Sequence, residues 1–156
     1  MNDFTIQVVV LKFAKNNPIM YPAEIVNPMK AEMTAVGFTE LTTPQQVDDM
    51  MHAGGTTLVF FNSVCGCAAG SARPGVKMAV QHSAKKPQNL TTVFAGFDVD
   101  AVKQARTYTL PYPPSSPCIA LFKDGQIVHF IERHHIEGRS AEMVAQNLMG
   151  AFEEHC

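Results

Sequence analysis

The sequence predicts an α/β fold, a mixed β-sheet with helices on both faces. Three observations carry that prediction. The apolar run Thr57-Leu58-Val59-Phe60-Phe61 is followed by a helix-forming segment and then by a β-rich stretch over 89–97. Strand–helix–strand order gives parallel pairing. Later, two short apolar runs flank Lys123-Asp124-Gly125, a hairpin signal that adds antiparallel strands. Apolar residues at three- and four-residue spacing mark helices before, between and after these strands.

Each element has its own warrant. Residues 1–19 read as an N-terminal extension, with an edge strand over Thr5–Phe13 and a turn at Asn16-Asn17-Pro18; residues 20–156 read as one domain. Pro22–Gly37 reads as a helix broken near Pro28, with Ile25, Val26, Met29, Met33 and Val36 as its stripe and Gly37 as a left-handed C-terminal cap. Thr43-Pro44-Gln45-Gln46 starts a second helix: Thr43 caps it, Pro44 fits its first position and Gln46 completes a capping box. Gly54-Gly55 ends it, and a strand over 56–61 follows. A helix from about Ala68 to Ala84 comes next, with Pro74 expected to kink it or mark its true start. Asp98 or Asp100 can cap a short helix over Val99–Tyr108. The proline-rich stretch Leu110–Pro117 excludes regular helix and central strand. Cys118–Phe122 and Gln126–Glu132 form the hairpin strands, and Ser140 caps a closing helix whose Val144, Leu148 and Phe152 make its buried stripe.

Composition excludes several classes. A chain of 156 residues with 46% hydrophobic and 17% charged residues can close a core and is not disordered. A net charge of -2 supplies no basic footprint for nucleic acid. No apolar stretch reaches membrane-spanning length, so no membrane partner is expected. The run Ile6–Phe13 lacks a preceding positive region and is interrupted by Lys12, which makes it a poor signal peptide; a cytoplasmic location is expected. Four cysteines are too few for a disulfide-stapled secreted scaffold, and two of them are too close together to staple anything.

Those two are Cys65 and Cys67, separated by Gly66, at the end of the apolar strand and the start of a helix. A helix N-terminus stabilises negative charge, so a cysteine there ionises more readily, and the thiolate is the form active in disulfide exchange. Cys65, at the strand end and before the helix amides, is assigned as the attacking thiolate and Cys67 as the second, resolving thiol; the reverse assignment is the alternative. Positions two apart on a helix do not share a face, so closing a bridge between them in helical geometry requires a local distortion. No His or Lys flanks the pair. Backbone N–H groups and the helix dipole must activate it, and Arg73 is a candidate supporting cation whose alternative is a solvated helix residue. Cys118 follows the proline-rich stretch and faces either the core or the site. A thiolate metal-binding module using Cys65, Cys67 and Cys118 is the competing reading, weakened because a structural zinc site needs four ligands. His134-His135 reads as a polar strand end, and the other histidines show no ligand spacing. No resident metal is expected.

Ser116-Pro117-Cys-Ile-Ala-Leu-Phe-Lys-Asp-Gly125 resembles the proline loop and following hairpin of thioredoxin-like proteins. Three segments carry a closer resemblance, to the bacilliredoxin family of the BrxA/BrxB type. They are Tyr21-Pro-Ala-Glu-Ile-Val-Asn-Pro-Met29, Asn62-Ser-Val-Cys-Gly-Cys-Ala-Ala-Gly70 with Ala72-Arg-Pro-Gly75, and Pro114–Phe122. The matching region spans roughly residues 20–155. The resemblance implies a thioredoxin-like fold and thiol–disulfide oxidoreductase activity. Bacillithiol, or a similar thiol, would be removed from protein mixed disulfides, or disulfides would be isomerised. It places the family's nucleophile on Cys65, its second motif cysteine on Cys67 and its cis-proline on Pro117, which would set the Ser116 backbone beside the sulfurs to pair with an extended substrate. It implies no resident cofactor, with bacillithiol as the thiol co-substrate. The partners would be S-bacillithiolated or disulfide-containing proteins and a low-molecular-weight thiol, met by a monomer or weak dimer.

Overall fold

The computed structural model describes residues 20–156; the strand expected over Thr5–Phe13 and the rest of the extension lie outside them. The first half of the chain runs α1 (Ala23–Thr34), β1 (Thr39–Glu40), α2 (Pro44–His52) and β2 (Thr56–Asn62). A π-helical turn over Ala68–Ala72 leads into α3 (Arg73–His82), followed by β3 (Asn89–Phe94) and α4 (Val99–Tyr108). The second half closes with β4 (Cys118–Lys123), β5 (Gln126–Ile131), α5 (Arg133–Ile136) and α6 (Ala141–His155).

The strands form one sheet in the order β1-β3-β2-β4-β5. β1, β3 and β2 run parallel, while β4 and β5 are antiparallel additions. β2 lies in the middle and every one of its residues is buried, which is why its centre, Leu58–Phe61, is a continuous apolar run without polar alternation. Its side chains still divide by parity. Leu58 and Phe60 join Ile119 and Leu121 of β4 under α1, α3 and α6, where Met33, Val76, Leu148 and Phe152 complete one core. Val59 and Phe61 join Cys118, Ala120 and Phe122 under α2 and α4, where Val47, Met51, Val102 and Ala105 complete the other. Helices therefore cover both faces. The hairpin turn has φ of 49° at Asp124 and 76° at Gly125, the left-handed pair that a tight two-residue turn needs.

Several expectations are corrected. α1 runs through Pro28 without a break, because Val26 and Met33 are both buried on either side of it and their packing outweighs one lost ladder bond. β1 is only two residues long, too short for a periodic signal. β3 ends at Phe94, where the N–H groups of Phe97 and Asp98 turn back onto the Phe94 carbonyl at 3.2 and 2.9 Å. Asp98 precedes α4 but makes no side-chain cap; its carboxylate reaches Lys30 Nζ at 2.8 Å instead. His134 and His135 sit on the single turn α5, not on a strand end.

Candidate active site

The site grows from the C-terminal end of β2. Asn62 and Ser63 are buried there and fix the exit of the chain. The Ser63 N–H donates to Asn62 Oδ1 at 2.8 Å, and Asn62 Nδ2 donates to the Met29 carbonyl of α1 at 3.2 Å. The Cys65 N–H then donates to Ser63 Oγ at 3.0 Å. Beneath this turn lies Arg73, only 3% exposed, whose Nη1 donates to the Ser63 carbonyl at 2.7 Å and to Asn62 Oδ1 at 3.2 Å. Its Nε reaches Glu32 at 3.2 Å. Arg73 therefore braces the turn that carries Cys65. It was expected as a cation beside the sulfurs, and its donors are instead taken up by Asn62, Ser63 and Glu32.

Cys65 is the residue from which the helix starts. Its carbonyl accepts from Ala68 and Ala69 N–H at 3.0 and 3.2 Å, and its Sγ accepts from the Cys67 N–H at 3.4 Å. A side chain that takes the amide two residues on, at the first turn, is an N-cap made of sulfur. Because Cys65 precedes the helix, its side chain folds back over the helix end, and the two Sγ atoms lie 2.6 Å apart. The divergence expected for two helical positions does not occur. Gly66, between them, is exposed, and a Cβ added there would meet nothing within 4 Å. The helix then widens. The Arg73 N–H reaches back five residues to the Ala68 carbonyl, just ahead of Pro74, which has no N–H to continue an α ladder.

A second cation closes the site from the far end of the chain. Arg133, the first residue of α5, points Nη2 at Cys65 Sγ (3.4 Å) and Nη1 at the Ser116 carbonyl (3.1 Å). Glu137 holds its Nε at 2.6 Å, and its own backbone N–H donates to Ser115 Oγ at 3.3 Å. One guanidinium thus joins the nucleophile candidate to the loop before β4. The Ser116–Pro117 peptide is cis, as is Leu110–Pro111. Sequence reasoning missed Arg133, which stands 68 residues from Cys65 and carries no local signal.

These contacts split the two thiols. Burial pushes the Cys65 thiol up. Hydrogen bonds from the Cys67 thiol and from the Cys67 and Ala68 amides, with the charge of Arg133, outweigh it and hold Cys65 below the ordinary value. Burial also pushes Cys67 up, to about 11, and there the hydrogen bond and charge of Cys65 add to it. Cys118 lies elsewhere: it is fully buried in the core under α2 and α4, and burial raises its thiol to about 11. Among the described residues, the group of three ligand types that comes within 4.8 Å is Glu132, His134 and His135, not the cysteines. That group builds the start of α5. The Glu132 N–H donates to His135 Nδ1 at 3.1 Å, the Glu132 side chain accepts from the His135 amide, and His134 Nδ1 lies 3.1 Å from Glu132 Oε2. No helix among the described residues is long and apolar enough to cross a membrane.

A family profile described as Disulphide isomerase matches residues 21–156. A bacilliredoxin of Cytophaga hutchinsonii is 62% identical over 135 residues, covering 86% of this chain and 99% of its own. A bacilliredoxin of Geobacillus kaustophilus is 50% identical over 137 residues, covering 87% and 94%. Among solved structures, the oxidised mitochondrial thioredoxin 3 of Saccharomyces cerevisiae superposes with a TM-score of 0.53 at 15% identity, over 79% of this chain and 98% of that one. A thioredoxin of Halobacterium salinarum gives 0.54 at 15%, over 77% and 91%. At that identity the likeness establishes the thioredoxin fold.

Proposed function

The chain belongs to the bacilliredoxin family of thiol–disulfide oxidoreductases, and from that premise we propose that it strips bacillithiol, or a similar small thiol, from protein mixed disulfides. The observation that carries this reading is the contrast at one helix start. Cys65 is capped by amides, faced by Arg133 and held ionisable, while Cys67 beside it stays protonated at neutral pH.

The chemistry follows from that contrast. The Cys65 thiolate attacks the small-thiol sulfur of the mixed disulfide. A new Cys65–thiol disulfide forms, the old S–S bond breaks, and the protein's cysteine leaves as a thiolate that takes a proton from solvent. Cys67 lies next to the sulfur just modified. Once it loses its proton it attacks Cys65 Sγ, forming the Cys65–Cys67 disulfide and releasing the small thiol. Two molecules of a low-molecular-weight thiol, oxidised together to their disulfide, then supply the two electrons that restore the dithiol. Isomerisation is a variant: Cys65 opens a disulfide within a protein, another thiol of that protein displaces it, and no net electron is transferred. A reducing, cytoplasmic setting suits the free thiols. The partners we propose are S-bacillithiolated and disulfide-bearing proteins, met by a monomer or weak dimer.

The test is a release assay. A protein carrying bacillithiol as a mixed disulfide is mixed with this chain, and both masses are followed by intact mass spectrometry. The thiol is expected to move onto the chain. Cys65→Ala should abolish transfer and Cys67→Ala should trap the adduct. If no mass moves with the wild-type chain, the reading fails.

A further inference from the structure

We propose that Arg133 is a positioning and specificity residue of the exchange site, one that favours small-thiol adducts over extended peptide partners by occupying the carbonyl such a peptide would use. This rests on the exchange reading above. The starting point is that a single guanidinium donates to the Cys65 sulfur at 3.4 Å and to the Ser116 carbonyl at 3.1 Å.

An extended peptide that presents a disulfide to Cys65 gains affinity by adding itself, strand-like, to backbone groups beside the sulfur. The Ser116 carbonyl is an acceptor at that place, since one guanidinium spans from it to Cys65 Sγ. Arg133 already fills it with a charged donor, and charge-assisted hydrogen bonds exceed neutral amide bonds by roughly twofold. A peptide N–H approaching that oxygen meets the guanidinium in the same space. A small thiol needs no strand pairing, so it meets no such competition.

The arginine is held, although 44% of its side chain is in solvent. Glu137 fixes Nε at 2.6 Å, and Ser115 Oγ accepts its backbone N–H at 3.3 Å. Its position is therefore set by α5 and by the loop that carries Ser116. The hold is also tied to the chemistry. The thiolate attracts Arg133 before attack; when Cys65 enters the mixed disulfide, its negative charge passes to the departing sulfur. The latch is tightest in the free thiolate form, when the partner is chosen.

The experiment compares two substrates that carry the same small thiol on the same kind of cysteine. One is a cysteine blocked at both ends, the other a cysteine in the middle of an unstructured peptide. Exchange rates are measured against pH for wild type, Arg133→Ala and Arg133→Lys, and compared at the plateau where Cys65 is fully ionised. This removes the effect of charge on the thiolate fraction. Arg133→Ala should raise the peptide-to-short rate ratio by about fivefold, the size of one net hydrogen bond. Arg133→Lys, which keeps the charge and loses the fork, should give a smaller rise while leaving the midpoint of the pH profile nearer to wild type. A ratio unchanged in both variants, with only the pH midpoint moving, overturns the proposal and leaves Arg133 as a thiolate counter-charge. If wild type reacts with neither substrate, the exchange reading itself falls and this proposal with it.

Discussion

The sulfurs of Cys65 and Cys67 lie 2.6 Å apart, and their ionisations move in opposite directions. Burial raises both. The Cys67 thiol then hydrogen-bonds the Cys65 thiolate, which helps Cys65 lose its proton and makes Cys67 keep its own. Cys65 is the more readily ionised of the two and Cys67 keeps its proton at neutral pH, although both stand at the same helix start.

Single removals should therefore shift the survivor. In Cys67→Ala the Cys65 midpoint moves up, because its hydrogen-bond donor is gone. In Cys65→Ala the Cys67 midpoint moves down from about 11, while burial still keeps it above the ordinary thiol value. Iodoacetamide labelling against pH, read peptide by peptide in a mass spectrometer, resolves each cysteine. A Cys67 profile that does not move in Cys65→Ala would mean burial alone sets it, and the coupling would be wrong.

Arg73 and Arg133 should fail in different ways. Arg73→Leu takes the Arg73 donor from the buried Ser63 carbonyl and leaves Asn62 Oδ1 with the Ser63 N–H as its remaining donor. A loss of about 2–4 kcal/mol in urea unfolding is expected, with Arg73→Lys recovering part of it. The Cys65 labelling midpoint should move less than in Arg133→Ala, since the donors of Arg73 go to the turn and to Glu32, and the charge of Arg133 acts on the sulfur. Equal midpoint shifts in the two variants would refute this division.

Much of this was legible in the residues. The Thr43–Gln46 capping box, the Lys123-Asp124-Gly125 turn and the Val144, Leu148 and Phe152 stripe are local patterns with local causes, and all three are present. The Cys65-Gly66-Cys67 start of a helix was legible for the same reason. What could not be read has a non-local cause. Arg133 reaches Cys65 only because β4, β5 and α5 fold back beside the end of β2, and no spacing encodes a contact across 68 residues. Arg73 is legible as a cation near the site, but only the packed structure shows that its donors go to the Ser63 carbonyl, Asn62 Oδ1 and the Glu32 carboxylate. Asp98 looked like a cap, and Lys30 of α1 competes for its carboxylate from far along the chain.

The helix that carries the cysteines is sensitive at Gly75. In a free helix Gly→Ala stabilises by about 1 kcal/mol. Here a Cβ at residue 75 would lie 2.7 Å from Val144 Cβ and 2.9 Å from the Ala141 carbonyl of α6. The overlap should outweigh propensity, and Gly75→Ala is expected to lower stability by about 1–3 kcal/mol. Adding Val144→Ala removes the Cγ1 contact at 2.8 Å while Val144 Cβ and the Ala141 carbonyl stay, so the double variant should lose somewhat less than the sum of the two. A Gly75→Ala protein more stable than wild type in urea would show that α3 and α6 separate easily.

Cys118 supplies a pH signature that is independent of exchange. Burial raises its thiol to about 11, with Glu132 adding slightly and Arg106 and Ser115 opposing. In the unfolded chain a thiol titrates near 8.5. Between those values the folded state holds the proton and the unfolded state releases it, so stability present below the unfolded pKa is lost as pH rises towards 11. The full loss is on the order of 3 kcal/mol. Cys118→Ala lacks that loss but gives up about 1 kcal/mol of core packing at neutral pH. Wild type should therefore be the more stable of the two in urea at pH 7.5. As pH climbs to 10.5 the gap should close and reverse. Every other ionisable group is shared by both proteins and cancels in the comparison. A constant gap across the range would mean that the buried Cys118 thiol ionises without penalty, against its complete burial beside Phe61 and Ala120.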